Sequence, residues 1–363
     1  MEIRLGDFKL LDEHRKIVNE VLECGQFTEG KYTKLFEEKW AKYIGVKHCI
    51  ACTNGTAALM LAITAFEFMK QKTLTYAVPA TTFPATLNSV LLTGNKSVLV
   101  DVKDDLLIDV DKIKCEKIDG IIPVHLFGYP CDMDKIMKLK KKYNLFILED
   151  CCEATGSTYK GKKVGSIGDA GAFSFFMSHP LGIGELGCVT TNNDKLAKIM
   201  RSIKNHGRVG SNLEFKHDFI GYNFKTTEFM TALACVGIEH IEEVIDSRRD
   251  VVKKYTDCIN NKNLSLGAYS SDCSYLGFPI IAKSKKYKKI ILEKLKENGI
   301  ETREMFPCLK NQVAYKNMFQ KEYPVSNHLE QCGFYIPCHQ YMNEEDINFV
   351  IDVINNAKNN SHL

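Results

Sequence analysis

The chain has 363 residues, too long for one small core, so a large domain with a smaller companion is expected. Hydrophobic residues make up 45% and charged residues 26%, the balance of a globular protein, and a formal charge of +3 on scattered lysines argues against nucleic acid as a partner. No run of about 18 apolar residues occurs, so no membrane span is expected.

The opening MEIRLGDFKLLDEHRK lacks the apolar core of a signal peptide, which places the expected compartment in the cytoplasm. The 14 cysteines are scattered from Cys24 to Cys338, a distribution of free thiols rather than a disulfide framework. Cys49-Ile-Ala-Cys52 is a lone C-x-x-C without a partner pair, so no metal or redox chemistry is expected there.

In chain order, HCIACT reads as a buried strand and GTAALMLAITAFEFM as a helix. LTYAVPA and SVLVDV read as strands on either side of a helical TFPATLNSVLLTG. IDGIIPVHLF reads as a strand, CDMDKIMKLKKKYN as a helix, and LFILED and GAFSFF as strands. This alternation predicts an α/β fold with a mostly parallel sheet covered by helices on both faces, and ligands collecting beyond the carboxyl ends of the strands. GIEHIEEVIDSRRDVVKKYTDCINN reads as one long helix leading into a smaller C-terminal α+β domain. Residues 1–240 and 241–363 are the expected domains. The second contains a strand YLGFPIIA, a helix KKIILEKLKENG, and a closing helix NEEDINFVIDVINNA capped by Asn and an acidic first turn. KKYKKI near Lys285 reads as a solvated helix face and the tail KNNSHL as frayed.

Three places carry candidate chemistry. Thr53-Asn54-Gly55-Thr56 follows a strand and opens a helix; its free amides suit a phosphate, or it is a plain strand-to-helix turn. Glu149 and Asp150 end a buried strand, where a carboxylate either meets a protonated ring nitrogen or caps the next segment. The glycine-rich stretch after GAFSFF carries Ser174, Ser178, His179 and Glu185, and its histidine is either a catalyst or a surface residue.

Taken together the chain resembles the DegT-type family of sugar-nucleotide aminotransferases and their dehydratase relatives. GQFTEGKYTKLFEEKWAKYIGVKHCIACTNGTAAL, VPATTFPATLNSVLLTGNKSVLVDV, IIPVHLFGYPCDMDKI, ILEDCCEATGSTYKGKKVGSIGDAGAFSFF, GYNFKTTEFMTA and GIETREMF follow in family order. The resemblance implies the fold-type I, aspartate aminotransferase-like architecture of enzymes that use pyridoxal 5′-phosphate (PLP) or pyridoxamine 5′-phosphate (PMP). It implies that Gly55, Thr56 and Ser174 hold the cofactor phosphate, that Phe83 stacks on the pyridine ring, and that Asp150 pairs with its nitrogen. Glu153 stands where family aminotransferases carry Gln beside the ring hydroxyl. Asn223 would reach the phosphate in the neighbouring subunit, which implies a homodimer with shared active sites. His206 is a second candidate acid/base or phosphate contact, or a structural loop histidine, and Arg303 lies in the family's variable substrate region.

One position departs from the aminotransferase pattern. His179 stands where the family lysine tethers the cofactor, and no lysine lies between Lys163 and Lys195. A histidine there, in a stretch like Phe176-Met177-Ser178-His179, resembles the NDP-4-keto-6-deoxysugar 3-dehydratases, although Pro180 stands where a second histidine is common. An imidazole cannot tether an aldehyde, but it can take a proton near neutrality. The resemblance therefore implies removal of the sugar 3-hydroxyl with PMP, His179 as general base, and a nucleotide sugar as substrate. No C-x-C pair follows His179, which favours L-glutamate as amino donor over an iron–sulfur reductant. The alternatives are a sugar aminotransferase whose lysine was replaced, naturally or by design, and a non-catalytic relative. Retention of Asp150, Ser174, Phe83 and Asn223 argues against the last.

Overall fold

The computed structural model describes residues 2–210 and 216–357; the tail read as frayed, residues 358–363, lies outside them. Its larger sheet begins with β1 (His48–Cys52), β2 (Thr75–Pro79), β3 (Lys96–Val100), β4 (Gly120–Ile121) and β5 (Phe146–Asp150). A small hairpin, β6 (Thr158–Tyr159) with β7 (Lys162–Lys163), leads to β8 (Ala170–Ser174) and β9 (Gly187–Thr191), which complete it. The spatial order is β1-β9-β8-β5-β4-β2-β3. Only β9 runs antiparallel to its neighbours, so the sheet is mixed and mostly parallel.

Both faces are covered, and the period-2 alternation of the strands shows how. Ile50 and Cys52 enter a core shared with α3 (Gly55–Lys70) and α6 (Asp194–Lys204). Cys49 and Ala51 enter the opposite core with Phe36 and Trp40 of α2 (Lys31–Ile44). The two cysteines of C-x-x-C therefore project to opposite faces, and all fourteen cysteines are free. Helix α3 buries alanines together with Leu59, Leu61, Ile63 and Phe66, because it is sandwiched between sheet and helices. Each of those four large side chains contributes about 1.5–3 kcal/mol by leaving water.

Two expected elements differ. IDGIIPVHLF supplies only Gly120–Ile121 to the sheet, because Pro123 has no N–H for the ladder. Its carbonyl accepts the Asp150 amide (2.9 Å), and the chain then turns through Phe127 at φ 53°. The single long helix is two, α7 (Glu228–Glu239) and α8 (Ile241–Cys258), which part at His240 with φ −105° and ψ 3°. Between α6 and α7 a second hairpin is formed by β10 (Arg208–Val209) and β11 (Lys216–His217).

The smaller sheet comprises β12 (Leu264–Leu266), β13 (Phe278–Ala282), β14 (Arg303–Glu304) and β15 (Gly333–Ile336), antiparallel in the order β12-β13-β15-β14. It shares a core with α9 (Lys285–Glu297) and α11 (Glu344–Asn355), and the latter opens on an Asn343–Asp346 capping box. Ile3 belongs to this second core, through Ile3 N–H to the Gly299 carbonyl (2.9 Å) and Glu301 N–H to the Ile3 carbonyl (2.8 Å). On α9 the solvated-face expectation fails at Lys288, which is buried on the same stripe as Tyr287, Ile291 and Leu295 and reaches Glu304 (2.7 Å). No helix among the described residues is long and apolar enough to cross a membrane.

One carboxylate joins two helices. Glu228, buried at the start of α7, accepts the amides of Gly30 (2.7 Å), Tyr32 (2.7 Å) and Thr33 (2.9 Å) and the Thr33 hydroxyl (2.6 Å). It caps α2, whose N-cap is Gly30 and has no side chain of its own. Burial pushes its pKa up, but the Thr33 hydroxyl and the three amides outweigh that and hold it below the ordinary 4.5. Replacing Glu228 with Gln should cost about 2 kcal/mol in urea unfolding at pH 7. Because the folded pKa is depressed, the native advantage is complete above pH 4.5 and shrinks as pH falls through the folded value. An advantage that persists unchanged to pH 3 would contradict the ionised cap.

Candidate active site

A cavity of about 500 Å³ opens beyond the carboxyl ends of β5 and β8, as the parallel core of the sheet requires. Four chain segments build its base: Gly55 and Thr56 at the start of α3; Thr82, Phe83 and Thr86 at the start of α4 (Pro84–Leu92); Asp150, Cys152 and Glu153 after β5; and Ser174, His179 and Glu185 between β8 and β9. Leu276, Arg303, Phe306 and Tyr335 close it from the side of the smaller sheet.

The helix end is made for an anion. Asn54 caps α3 by accepting the Ala57 amide (2.9 Å), and helical geometry leaves the Gly55 and Thr56 amides without an intrahelical acceptor. A Cβ on Gly55 would lie 2.7 Å from Ser174 Cβ and 2.8 Å from Cys152 Sγ, so only glycine lets the backbone come this close to the floor of the cavity.

Asp150 and Glu149 end β5 with opposite outlooks. Glu149 faces away and is saturated: it accepts the amides of Gly165 (3.0 Å), Ile167 (2.8 Å) and Gly168 (2.7 Å). His125 accepts the Cys131 amide on Nδ1 (3.0 Å), so its proton sits on Nε2, which donates to Glu149 (3.2 Å). His125, Glu149 and Cys151 are close enough to hold a metal, but these bonds already occupy the imidazole and the carboxylate. Asp150 faces the cavity. Its Oδ2 accepts from the Thr86 hydroxyl (2.8 Å) and its Oδ1 from the Cys152 amide (3.2 Å). Burial raises its pKa, hydrogen bonds from Cys152 and Thr86 oppose that, and no cation among the described residues forms an ion pair with it. A buried carboxylate with no ion pair among the described residues, lining the same cavity as the free amides of a helix N-terminus, fits a phosphorylated pyridinium. Among the described residues Glu153 accepts only the Phe127 amide (2.9 Å), and burial, with the charge of Asp150 adding, pushes its carboxyl up to about 8.

His179 is the basic imidazole of the cavity. Its Nδ1 lies 2.9 Å from the Ser174 carbonyl, which can only accept. The neutral ring therefore carries its proton on Nδ1 and leaves the Nε2 lone pair available. Burial pushes its pKa down to about 4, against the smaller raising effect of the Ser174 carbonyl.

The structure gathers Gly55, Thr56, Phe83, Asp150, Glu153, Ser174, His179 and Arg303 around one cavity. Phe83 borders it as the N-cap of α4, 57% exposed and edge-on to Phe306 at 6.0 Å. His206 and Asn223 lie outside it. His206 is exposed in a left-handed turn (φ 60°) with its amide on the Tyr222 carbonyl (2.7 Å), and Asn223 is exposed and accepts from Lys225 (2.7 Å). Within one chain neither reaches the cavity, because the β-bridge between Asn205 and Asn223 holds both on another surface. Cys152, read as core packing with Cys151, lines the cavity, and only Cys151 is fully buried in the core. Thr86 and Tyr335 escaped the sequence reading. For Thr86 the available signal was a hydroxyl four residues after Thr82 in TTFPAT; Tyr335 sits in an ordinary buried strand and gives none.

Residues 9–355 match the DegT/DnrJ/EryC1/StrS aminotransferase family. The GDP-perosamine synthase of Escherichia coli O157:H7 is 31% identical over 95% of this chain and 96% of its own. Among solved structures, Helicobacter pylori PseC, an aminotransferase of pseudaminic acid biosynthesis, superposes with a TM-score of 0.92 at 27% identity, covering 98% of both chains. The E. coli GDP-4-keto-6-deoxy-D-mannose-3-dehydratase with bound hydrated PLP reaches 0.91 at 26%, covering 98% of this chain and all of its own. These sequence relatives thus favour transamination over the expected dehydration, and the dehydratase named here is a structural neighbour. The chain belongs to the DegT/DnrJ/EryC1/StrS family, with the PLP fold-type I architecture, and is a PLP/PMP-dependent enzyme of sugar-nucleotide modification.

Proposed function

We propose that the chain is a PMP-dependent 3-dehydratase of an NDP-4-keto-6-deoxy sugar, with L-glutamate as amino donor and His179 as general base. The observation that carries this reading is the side chain at the reacting centre: His179 faces the cavity, and no lysine among the described residues lines it. When bound, the cofactor supplies an amine that condenses with a ketone and a ring that accepts electrons. The protein's own groups do the rest. Gly55, Thr56 and Ser174 would hold the phosphate, and Asp150 would keep a proton on the ring nitrogen. Glu153, neutral at pH 7, can donate to the ring hydroxyl oxygen. His179 accepts a proton on Nε2 and can return it to departing hydroxide, while the Ser174 carbonyl keeps the ring in the correct tautomer.

A second cavity of about 430 Å³, lined in part by Arg4, Leu5 and Phe8, shares Phe176, Ser178, Leu276, Arg303 and Tyr335 with the first. The two adjoining cavities give room for a nucleotide beyond the sugar. We place the shared sites of a homodimer on the exposed surface that carries Asn223 and His206. The competing reading, a sugar-nucleotide aminotransferase, is favoured by relatives named as perosamine synthases and transaminases. It would require His179 to carry out both proton transfers of a tethering lysine.

Two measurements decide. With PLP and L-glutamate the protein should release 2-oxoglutarate, and added GDP-, CDP- or dTDP-4-keto-6-deoxy sugars should include one that loses an oxygen by mass. A stable 4-amino sugar would establish the aminotransferase instead. His179→Asn should lower deoxygenation by about 10²–10⁴-fold and leave PLP affinity unchanged; retained deoxygenation removes His179 as the base. The pH profile of kcat/KM offers a further check, since it reports the free enzyme. The lowered pKa keeps the imidazole neutral to lower pH, so the acid limb assigned to His179 should lie near 4, well below 6.5.

A further inference from the structure

We propose that Thr86 is a positioning residue for Asp150, the last member of a buried hydroxyl chain from Thr82 that fixes the carboxylate against a protonated pyridine nitrogen. The proposal rests on the cofactor reading of the cavity given above.

Thr86 Oγ1 lies 2.8 Å from Asp150 Oδ2, and Thr82 Oγ1 lies 3.0 Å from Thr86 Oγ1. Thr82 is 0% exposed, Thr86 1% and Asp150 4%, so water does not compete for these bonds. The chain has a direction. An ionised carboxylate only accepts, so the single Thr86 proton goes to Asp150, and Thr82 must donate to the Thr86 oxygen. Each hydroxyl polarises the next toward the negative charge. The other oxygen, Oδ1, accepts the Cys152 amide at 3.2 Å, so both oxygens are held and the carboxyl plane cannot rotate. No cation performs this task, because none among the described residues forms an ion pair with Asp150. A valine at position 86 would fill the same volume; the hydroxyl is what threonine adds.

The titratable groups around Asp150 include Glu149, Cys151, Cys152 and Glu153 on its own segment, His125 after β4, which is bonded to Glu149, and His179, which lines the same cavity. Neither Thr86 nor Ala172, paired with Asp150 on β8, adds another. A change at Thr86 therefore acts on Asp150 without removing a charge.

The test is titration of the purified chain and its variants with PMP and with PLP, reading dissociation constants and the pH midpoint of the bound cofactor's absorbance. Thr86→Val should weaken PMP binding about tenfold and move the midpoint to lower pH, because a carboxylate free to rotate pairs less closely with the ring nitrogen; a midpoint moved to higher pH, the effect of withdrawing a donor from a carboxylate that stays in place and becomes more basic, overturns the positioning role. Thr86→Ser should stay within about twofold of native in both. Native behaviour of Thr86→Val, or equal impairment of Thr86→Ser, overturns the proposal. If Thr86→Val does not fold, Thr86→Ala against Thr86→Ser, which differ by one oxygen, makes the same comparison. A native chain that binds neither PMP nor PLP overturns the cofactor reading itself, whereas native binding with an unaffected Thr86→Val overturns only the role of Thr86.

Discussion

The site depends on the reversal of one strand. β8 brings the chain to the carboxyl edge of the sheet, and a parallel successor would have to carry it away to the opposite edge. Because β9 is antiparallel to both β8 and β1, residues Phe175 to Leu186 stay where they are delivered. His179 and Glu185 are thereby held at the cavity that the start of α3 and Asp150 also line. The return is tight: a Cβ on Gly187 would sit 2.3 Å from the Asn54 carbonyl carbon, and one on Gly182 would sit 2.2 Å from the Met177 oxygen. Gly182 and Gly187 serve close approach of backbone to backbone, which no side chain would permit, whereas Gly184 supplies a φ of 123°.

Burial then sets the charges. The same loss of water pushes Asp150 and Glu153 up and His179 down, moving all three toward neutrality. What separates them is hydrogen bonding. Asp150 has donors on both oxygens, Glu153 has one amide, and the neighbour of His179 is a carbonyl that orients the ring more than it charges it. The proposed function uses these three groups as an anion opposite a cationic ring, a neutral donor and a neutral base.

Much of this was legible in the chain. Strands β1, β2 and β5 and helix α3 announce themselves by apolar runs bounded by small residues, and Asn54 marks the α3 cap. The absence of a lysine near His179 is a fact of sequence alone. Other features were hidden because their cause is remote. Nothing in GIEHIEEVIDSRRDVV marks the break at His240, and the buried cap of α2 comes from Glu228, almost two hundred residues away. Pro123 was visible in IDGIIPVHLF, but that its carbonyl accepts the Asp150 amide was not. Cys151 and Cys152 look alike in the chain, and only the pleat sends one to the core and the other to the cavity.

The sequence by itself determined the family, the cofactor class, and the presence of a histidine at position 179 with no lysine between Lys163 and Lys195, because these reside in residue identities at fixed places along the chain. The tertiary structure decided which atoms meet. It assigned Glu149 to the Gly165–Gly168 amides and Asp150 to the cavity, set the tautomer of His179 through the Ser174 carbonyl, brought Thr86 onto Asp150, and left His206 and Asn223 outside the cavity of their own chain. Those outcomes depend on strand direction and side-chain alternation summed over the whole sheet, and no local stretch of residues contains that sum.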